Sequence, residues 1–184
     1  NEDFFTLKGL IEAVCKIFGA HTEYERSSEP YLHPGRQALV KANNKECAVF
    51  GEVHPTVADS YGIDCKVYVA EIKLDVLLGI EKRKNIYKPL PKFPAVERDF
   101  AVLVDKEIPV GTLEKAISSG ASRLLEKIEL FDIYQGAQIP EGKKSVAYTM
   151  TLRAADRTLT VEECDKAVNK VLKELANIGA ELRS

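Results

Sequence analysis

The sequence predicts an α+β protein of two halves, each built on an antiparallel sheet with helices on one face, the second half in the order βαββαβ. Three observations carry this. Strand-like runs in the first half follow one another through short connections, the spacing of hairpins rather than of crossovers. Pro89, Pro91 and Pro94 fall within six residues and favour extended, hydrogen-bond-poor backbone, which sets a boundary between the halves. Beyond them, strand and helix periodicities alternate in the order that makes a split βαβ unit.

In the first half Asp3 is placed to cap a helix whose apolar positions Leu7, Leu10, Ile11, Val14 and Phe18 keep helical spacing until Gly19. Strands are expected at HTEYERSS (21–28), QALVKAN (37–43), ECAVFGEV (46–53) and CKVYVAEIKLD (65–75). Asn43-Asn44 and HPTVADSYG supply turns or short helical segments between them. Four strands and one long helix make a thin domain, as though part of a larger one were missing.

In the second half RDFAVLV (98–104) reads as a strand, and residues 110–128 as a helix interrupted at Gly120. IELFDIYQG and KKSVAYTMTLRA read as strands, residues 160–179 as a helix and AELR as a final strand, which completes a ferredoxin-like βαββαβ unit. Thr160 and Glu163 form a capping box, with Leu159 and Cys164 placed as a hydrophobic staple. The stripe Val161, Cys164, Val168, Val171, Leu172 and Leu175 faces one way, and Gly179 stands where a C-terminal cap belongs.

In such a fold both helices cover one face of the sheet, so strand alternation tells which residues look outward. Val146, Tyr148, Met150 and Leu152 form the core set of one strand, leaving the small and polar Ser145, Ala147, Thr149, Thr151 and Arg153 opposite. On the preceding strand Phe131 and Ile133 are the natural core pair, which turns Asp132 and Tyr134 to the open face. A tyrosine beside an acceptor and small hydroxyls makes a base-stacking platform, and Asp132 is placed to accept from a base edge such as the amines of guanine. The same pattern also describes an ordinary solvated sheet surface. Lys143, Lys144, Arg153 and Arg157 form a local basic cluster suited to phosphates around the platform.

The 184 residues carry a net charge of −2, and neither half is a basic nucleic-acid module by bulk charge, so any such contact must be local. The most basic segment, KRKNIYKPLPK, reads as a solvated linker. No apolar run approaches the ~20 residues of a membrane span, and the acidic start NEDFFTLKGL lacks the features of a secretion signal, so a cytoplasmic location with no membrane partner is expected. Cys15, Cys47, Cys65 and Cys164 are spread singly and read as reduced thiols, most of them buried; a zinc site of Cys47, His54 and Cys65 fits no familiar ligand spacing.

"FPAVERDFAVLVD", "LFDIYQG", "EGKKSVAYTMTLR" and "RTLTVEE" resemble, in order and spacing, the ferredoxin-fold anticodon-binding domain that ends bacterial phenylalanyl-tRNA synthetase β subunits. "YLHPGRQALV", "VFGEVHPTVADSYGI" and "YVAEIKLDVLL" resemble the end of the catalytic-like domain that precedes it. The resemblance implies an antiparallel-sheet remnant of a class II synthetase-like domain at 1–84, a Pro-rich linker at 85–93 and the anticodon-binding domain at 94–184. It implies a non-catalytic part of a phenylalanine-tRNA ligase that holds the anticodon region of phenylalanine tRNA. It further implies a partner α subunit, in an (αβ)2 assembly, that performs aminoacylation with ATP and magnesium.

By motif, the RNA-facing positions carry over to Asp132, Tyr134 and Ser145, with Ala180 at the start of the last strand. No cofactor is expected on this part, because CKVYVAEIKLD runs into VLLGIEKRK without the glycine-rich strand and arginine-bearing helix of an ATP site. His33 and His54, each followed by proline, read as turn formers, while Arg36 is expected to pair with a buried carboxylate or with the partner subunit. Competing readings are a ferredoxin-like small-molecule regulatory module and a protein-docking domain without RNA binding. A single-chain organellar synthetase also ends in such a domain, but its preceding half carries ATP motifs.

Overall fold

The computed structural model describes residues 2–80 and 89–183. The chain divides into two compact units, Asn1–Tyr87 and Lys88–Ser184. Most of the basic linker segment, including Lys82, Arg83, Lys84 and Lys88, lies outside the described residues.

The first unit opens with α1 (Phe4–Ile17), where the Asp3 carboxylate accepts from the Thr6 amide at 2.8 Å. Strands β1 (Thr22–Arg26), β2 (Leu32–Ala42), β3 (Lys45–Val53) and β4 (Tyr68–Ile72) form one antiparallel sheet in chain order. Asn43 and Asn44 join β2 to β3 with φ of 51° and 65°, the left-handed pair that a two-residue hairpin needs and that asparagine tolerates. Short helices α2 (Pro55–Ser60) and α3 (Leu74–Leu78) flank β4. Ile11 and Cys15 of α1 are buried with Val40, Cys47, Phe50 and Leu77 in this unit's core. Leu10, expected on the buried stripe, is exposed, because it sits at the stripe's flank beyond the reach of the sheet.

In the second unit β5 (Val96–Asp105), α4 (Val110–Ala121), β6 (Leu125–Tyr134), β7 (Lys143–Leu152), α5 (Val161–Asn177) and β8 (Glu181–Leu182) give the βαββαβ order. The antiparallel sheet has the order β6-β7-β5-β8, the arrangement of a ferredoxin-like fold. Val102, Val104, Val146, Tyr148, Met150 and Leu152 pack from the sheet against Leu113 and Ile117 of α4 and Cys164, Val171 and Leu175 of α5. Thr160 and Glu163 exchange the two capping hydrogen bonds expected of them, and Gly179 takes φ 78° beyond the end of α5. Val161 is solvent-exposed, since a residue in the first turn of α5 lies outside the packed length of the stripe.

Two expectations are corrected here. The helix expected over 110–128 ends at Ala121; a single 3-10 turn, Ser122–Leu124, intervenes and β6 starts at Leu125. Ser122 takes φ 52°, which breaks the helical path, so the leucines and Ile128 that continue the apolar periodicity belong to a strand. Gly120 does not interrupt α4 but lies inside it, where the Val171 backbone of α5 comes so close that an added Cβ would sit 2.6 Å from the Val171 Cα. The glycine is what lets the two helices touch. Gly120→Ala is therefore expected to lower the stability of this unit by about 1–3 kcal/mol through overpacking, read as a shift in its denaturant midpoint.

Candidate nucleic-acid interface

Because β7 pairs with β5 on one side and β6 on the other, its alternation sorts both neighbours. Ala147 stands opposite Asp132 and Ala101, and Ser145 opposite Tyr134 and Leu103, all on the face away from the helices. Phe131 departs from the expectation that it pairs with Ile133 in the core. The register shifts between Leu130 and Asp132, so Leu130 faces Tyr148, Phe131 is the unpaired extra residue of a β-bulge, and Ile133 resumes the helix-side alternation opposite Val146. β6 is an edge strand, and Phe131 and Ile133 are both exposed. The bulge keeps Asp132 and Tyr134 together on the open face.

A residue with no part in the sequence-based site completes this corner. The Arg183 amide donates to the Ala101 carbonyl at 2.8 Å, which holds it just beyond β8. From there its side chain donates to the Ser145 hydroxyl at 3.2 Å and brings its guanidinium carbon to 5.8 Å from the centre of the Tyr134 ring. Ser145 is 3% exposed; its hydroxyl holds Arg183 in place instead of standing open. Tyr134 remains 38% exposed, its ring folded back over Gly136, where any Cβ would run into the ring and hydroxyl.

Lys143 lies on the open face beside Ser145, opposite Asp105. Lys144 does not, because it shares the parity of Val146 and Tyr148. It is 8% exposed, and its ammonium donates to the carbonyls of Lys106 (3.1 Å) and Ile108 (2.6 Å), tying β7 to the loop that enters α4. Ala180 is buried in the core, drawn in by the turn after α5, where its amide donates to the Leu175 carbonyl. Arg153 and Arg157 follow the far end of β7, away from Tyr134. Arg153 binds Glu126 at 2.6 Å and the Phe93 carbonyl, and Arg157 binds Asp156 and Glu163 at 2.9 and 2.5 Å. The four cations expected around one platform are thus not gathered; among the described residues Lys143 and Arg183 lie beside Tyr134.

Residues 91–183 match the family model described as the ferredoxin-fold anticodon binding domain. The chain belongs to this family. Residues 1–74 match a second model, the phenylalanyl tRNA synthetase beta chain CLM domain. The phenylalanine–tRNA ligase beta subunit of Clostridium acetobutylicum is 46% identical over 186 aligned residues, covering 100% of this chain and 24% of that protein. The beta subunits of Symbiobacterium thermophilum (44% identical; 99% of this chain, 20% of that protein) and Listeria innocua (41%; 94% and 22%) are similar in the same way. The chain thus spans about a quarter of the length of the curated relatives it matches.

Outside the anticodon-binding domain, the residues singled out in the first unit have local partners. His33 Nδ1 accepts from the Gly35 amide at 3.1 Å, and His54 caps α2 by accepting from the Thr56 amide at 3.3 Å, so both form turns. Arg36 pairs with a buried carboxylate, its Nη1 donating to both oxygens of Glu52 at 2.8 Å while the Tyr68 hydroxyl donates at 3.2 Å. Cys47 lies in the core, Cys65 is exposed, and no metal-holding group of three His, Cys, Asp or Glu occurs among the described residues.

Burial acts to raise the Glu52 carboxyl, but the bonds from Arg36 and Tyr68 outweigh it and hold the group below its ordinary value of 4.5. Its contribution to stability is therefore present above that value and is lost as pH falls through the lower folded one. The denaturant midpoint of the first unit, followed by residue-resolved NMR, is expected to drop on acidification below about pH 4.5, with a smaller drop in Glu52→Gln. Within the anticodon-binding domain Gly136→Ala is expected to displace the Tyr134 ring, seen as changed ring chemical shifts and loss of its contact with Arg183, while the core signals of Val146 and Met150 stay unchanged.

Proposed function

We propose that the open face of the second unit holds the anticodon region of phenylalanine tRNA, and that the chain is a non-catalytic part of a cytoplasmic phenylalanine-tRNA ligase. The observation that carries this reading is the Tyr134, Arg183 and Asp132 corner, set on the uncovered face of a domain of the anticodon-binding family. An exposed ring offers a π-face to an unpaired base, Arg183 offers a planar cation to stack or to meet a phosphate, and Asp132 accepts from a base edge. Ser145 acts through Arg183, and Lys143 adds a phosphate contact. Lys144 and Ala180, being buried, act through the core, and Arg153 and Arg157 through their carboxylates.

Residues 1–84 are read as catalytic-like without catalysis, consistent with histidines committed to turns and with Arg36 committed to Glu52. Aminoacylation, with ATP and magnesium, falls to the α subunit of an (αβ)2 assembly. No helix among the described residues is long and apolar enough to cross a membrane. The docking reading calls for an apolar open face. The exposed apolar side chains near this corner are instead Leu130, Ile133 and Leu182, of helix-side parity, and Phe131 at the bulge.

The test is the dissociation constant of this chain for phenylalanine tRNA and for a tRNA with an unrelated anticodon, at two salt concentrations. Preferential binding is expected, and Tyr134→Ala should weaken it by about 5- to 150-fold, the range of one lost stacking contact. Equal binding of both tRNAs that Tyr134→Ala leaves unchanged would overturn the reading.

A further inference from the structure

The open face of the second unit is acidic. By register its strands direct Glu97, Asp99, Asp105, Glu129, Asp132 and Glu181 outward, against Lys127, Lys143 and Arg183. At the Tyr134 corner Lys143 and Arg183 offset the carboxylates Asp105, Asp132 and Glu181, whereas Glu97, Asp99 and Glu129 line the other half, along Thr149 and Thr151, with Lys127 as the cation among them. There Lys127 is already paired with Glu129 at 2.6 Å, and Asp99 is held on the face by the Thr149 hydroxyl at 2.7 Å. The next cation along β7, Arg153, is bound to Glu126 and the Phe93 carbonyl.

Thr149 and Thr151 lie four and six residues from Ser145, about 13 and 20 Å along the strand. A duplex or a continuous strand laid from Tyr134 along β7 brings its phosphates within a Debye length of these carboxylates, about 8 Å at physiological salt, whereas a base seated on Tyr134 lies beyond that range, where exposed charges are largely screened. Phosphates there are repelled, while a base edge carrying N–H donors at the corner is not.

We infer that Glu97, Asp99 and Glu129 are specificity determinants: they exclude the RNA backbone from the lower sheet and confine recognition to an unpaired base splayed onto the Tyr134 and Arg183 corner. This rests on the proposed tRNA-binding function and adds to it the class of RNA accepted, a loop with a turned-out base, and the class refused, a duplex or a continuous single strand laid along the sheet. The face works by rejecting most RNA rather than by attracting it. A basic face would gain affinity from any phosphate and would tell sequences apart less well.

The test compares the full chain with the variant Glu97→Gln, Asp99→Asn, Glu129→Gln, all isosteric and solvent-exposed. The probes are a hairpin RNA bearing the phenylalanine anticodon, a hairpin with an unrelated anticodon and a blunt RNA duplex. The variant is expected to bind the unrelated hairpin and the duplex about five- to tenfold more tightly at low salt, with a smaller gain for the cognate hairpin. Discrimination should therefore fall, and the dependence of affinity on salt should steepen. If the variant keeps the affinities and discrimination of the parent while Tyr134→Ala still abolishes preference, the exclusion role is overturned and the anticodon reading stands. If the parent shows no preference and Tyr134→Ala changes nothing, both fall together.

Discussion

The second unit depends on β7. It is hydrogen-bonded along its length on both sides, to β5 and to β6, so its side chains are locked in strict alternation and no slip by one residue is tolerated. One parity supplies Val146, Tyr148, Met150 and Leu152, all fully buried against the two helices. The other supplies Lys143 at the start of the strand and then Ser145, Ala147, Thr149 and Thr151, none of these four larger than threonine. The same constraint therefore builds the core and levels the floor of the opposite face. Strands β5 and β6 take their own inward and outward sets from it, and α4 and α5 close over the apolar side, meeting each other at Gly120.

Arg183 starts beside Ala101 on β5, yet its guanidinium reaches a hydroxyl on β7 and a ring from β6, two and three strands away from its own. Strands lie about 4.8 Å apart, so the arginine can span this distance only by lying flat on the sheet. Its amide is anchored to the Ala101 carbonyl on β5, and its guanidinium is held at the far side by the Ser145 hydroxyl and the Tyr134 ring.

What was legible in the sequence was whatever period and capping chemistry encode. The βαββαβ order, the Thr160 and Glu163 box, the Asp3 cap, the core parity of β7 and the outward turn of Asp132 and Tyr134 all follow from local spacing. Phe131 was misplaced because a bulge is a two-strand event: the extra residue is defined by its partner strand, and no single-strand alternation reveals it. Lys144 shares its parity with Val146, and its long apolar stem carries the ammonium to carbonyls at the rim of the core, an outcome that its charge alone does not signal. Arg183 was invisible because its neighbours are set by the placement of β8 beside β5, a tertiary fact. Arg153 and Arg157 follow the same logic in reverse, since sequence proximity to the platform hid their position at the far end of β7.

The first unit shows how charge can stay local even where the chain is nearly neutral. Arg36 and Tyr68 converge on Glu52, a buried carboxylate that would be costly without them. Its surroundings stabilise the ionised form, so the pair fixes β2, β3 and β4 to one another at neutral pH. In the second unit the carboxylates of the open face stay at the surface, where Glu129 pairs with Lys127 and Asp99 accepts from Thr149 while water and salt limit their reach. A buried charge with matched partners serves cohesion, whereas exposed carboxylates contribute little to it. Held flat by β7, the Tyr134 corner is where the open face combines an aromatic surface with cations, and on the reading proposed above its selectivity depends as much on the carboxylates that border it as on the residues within it.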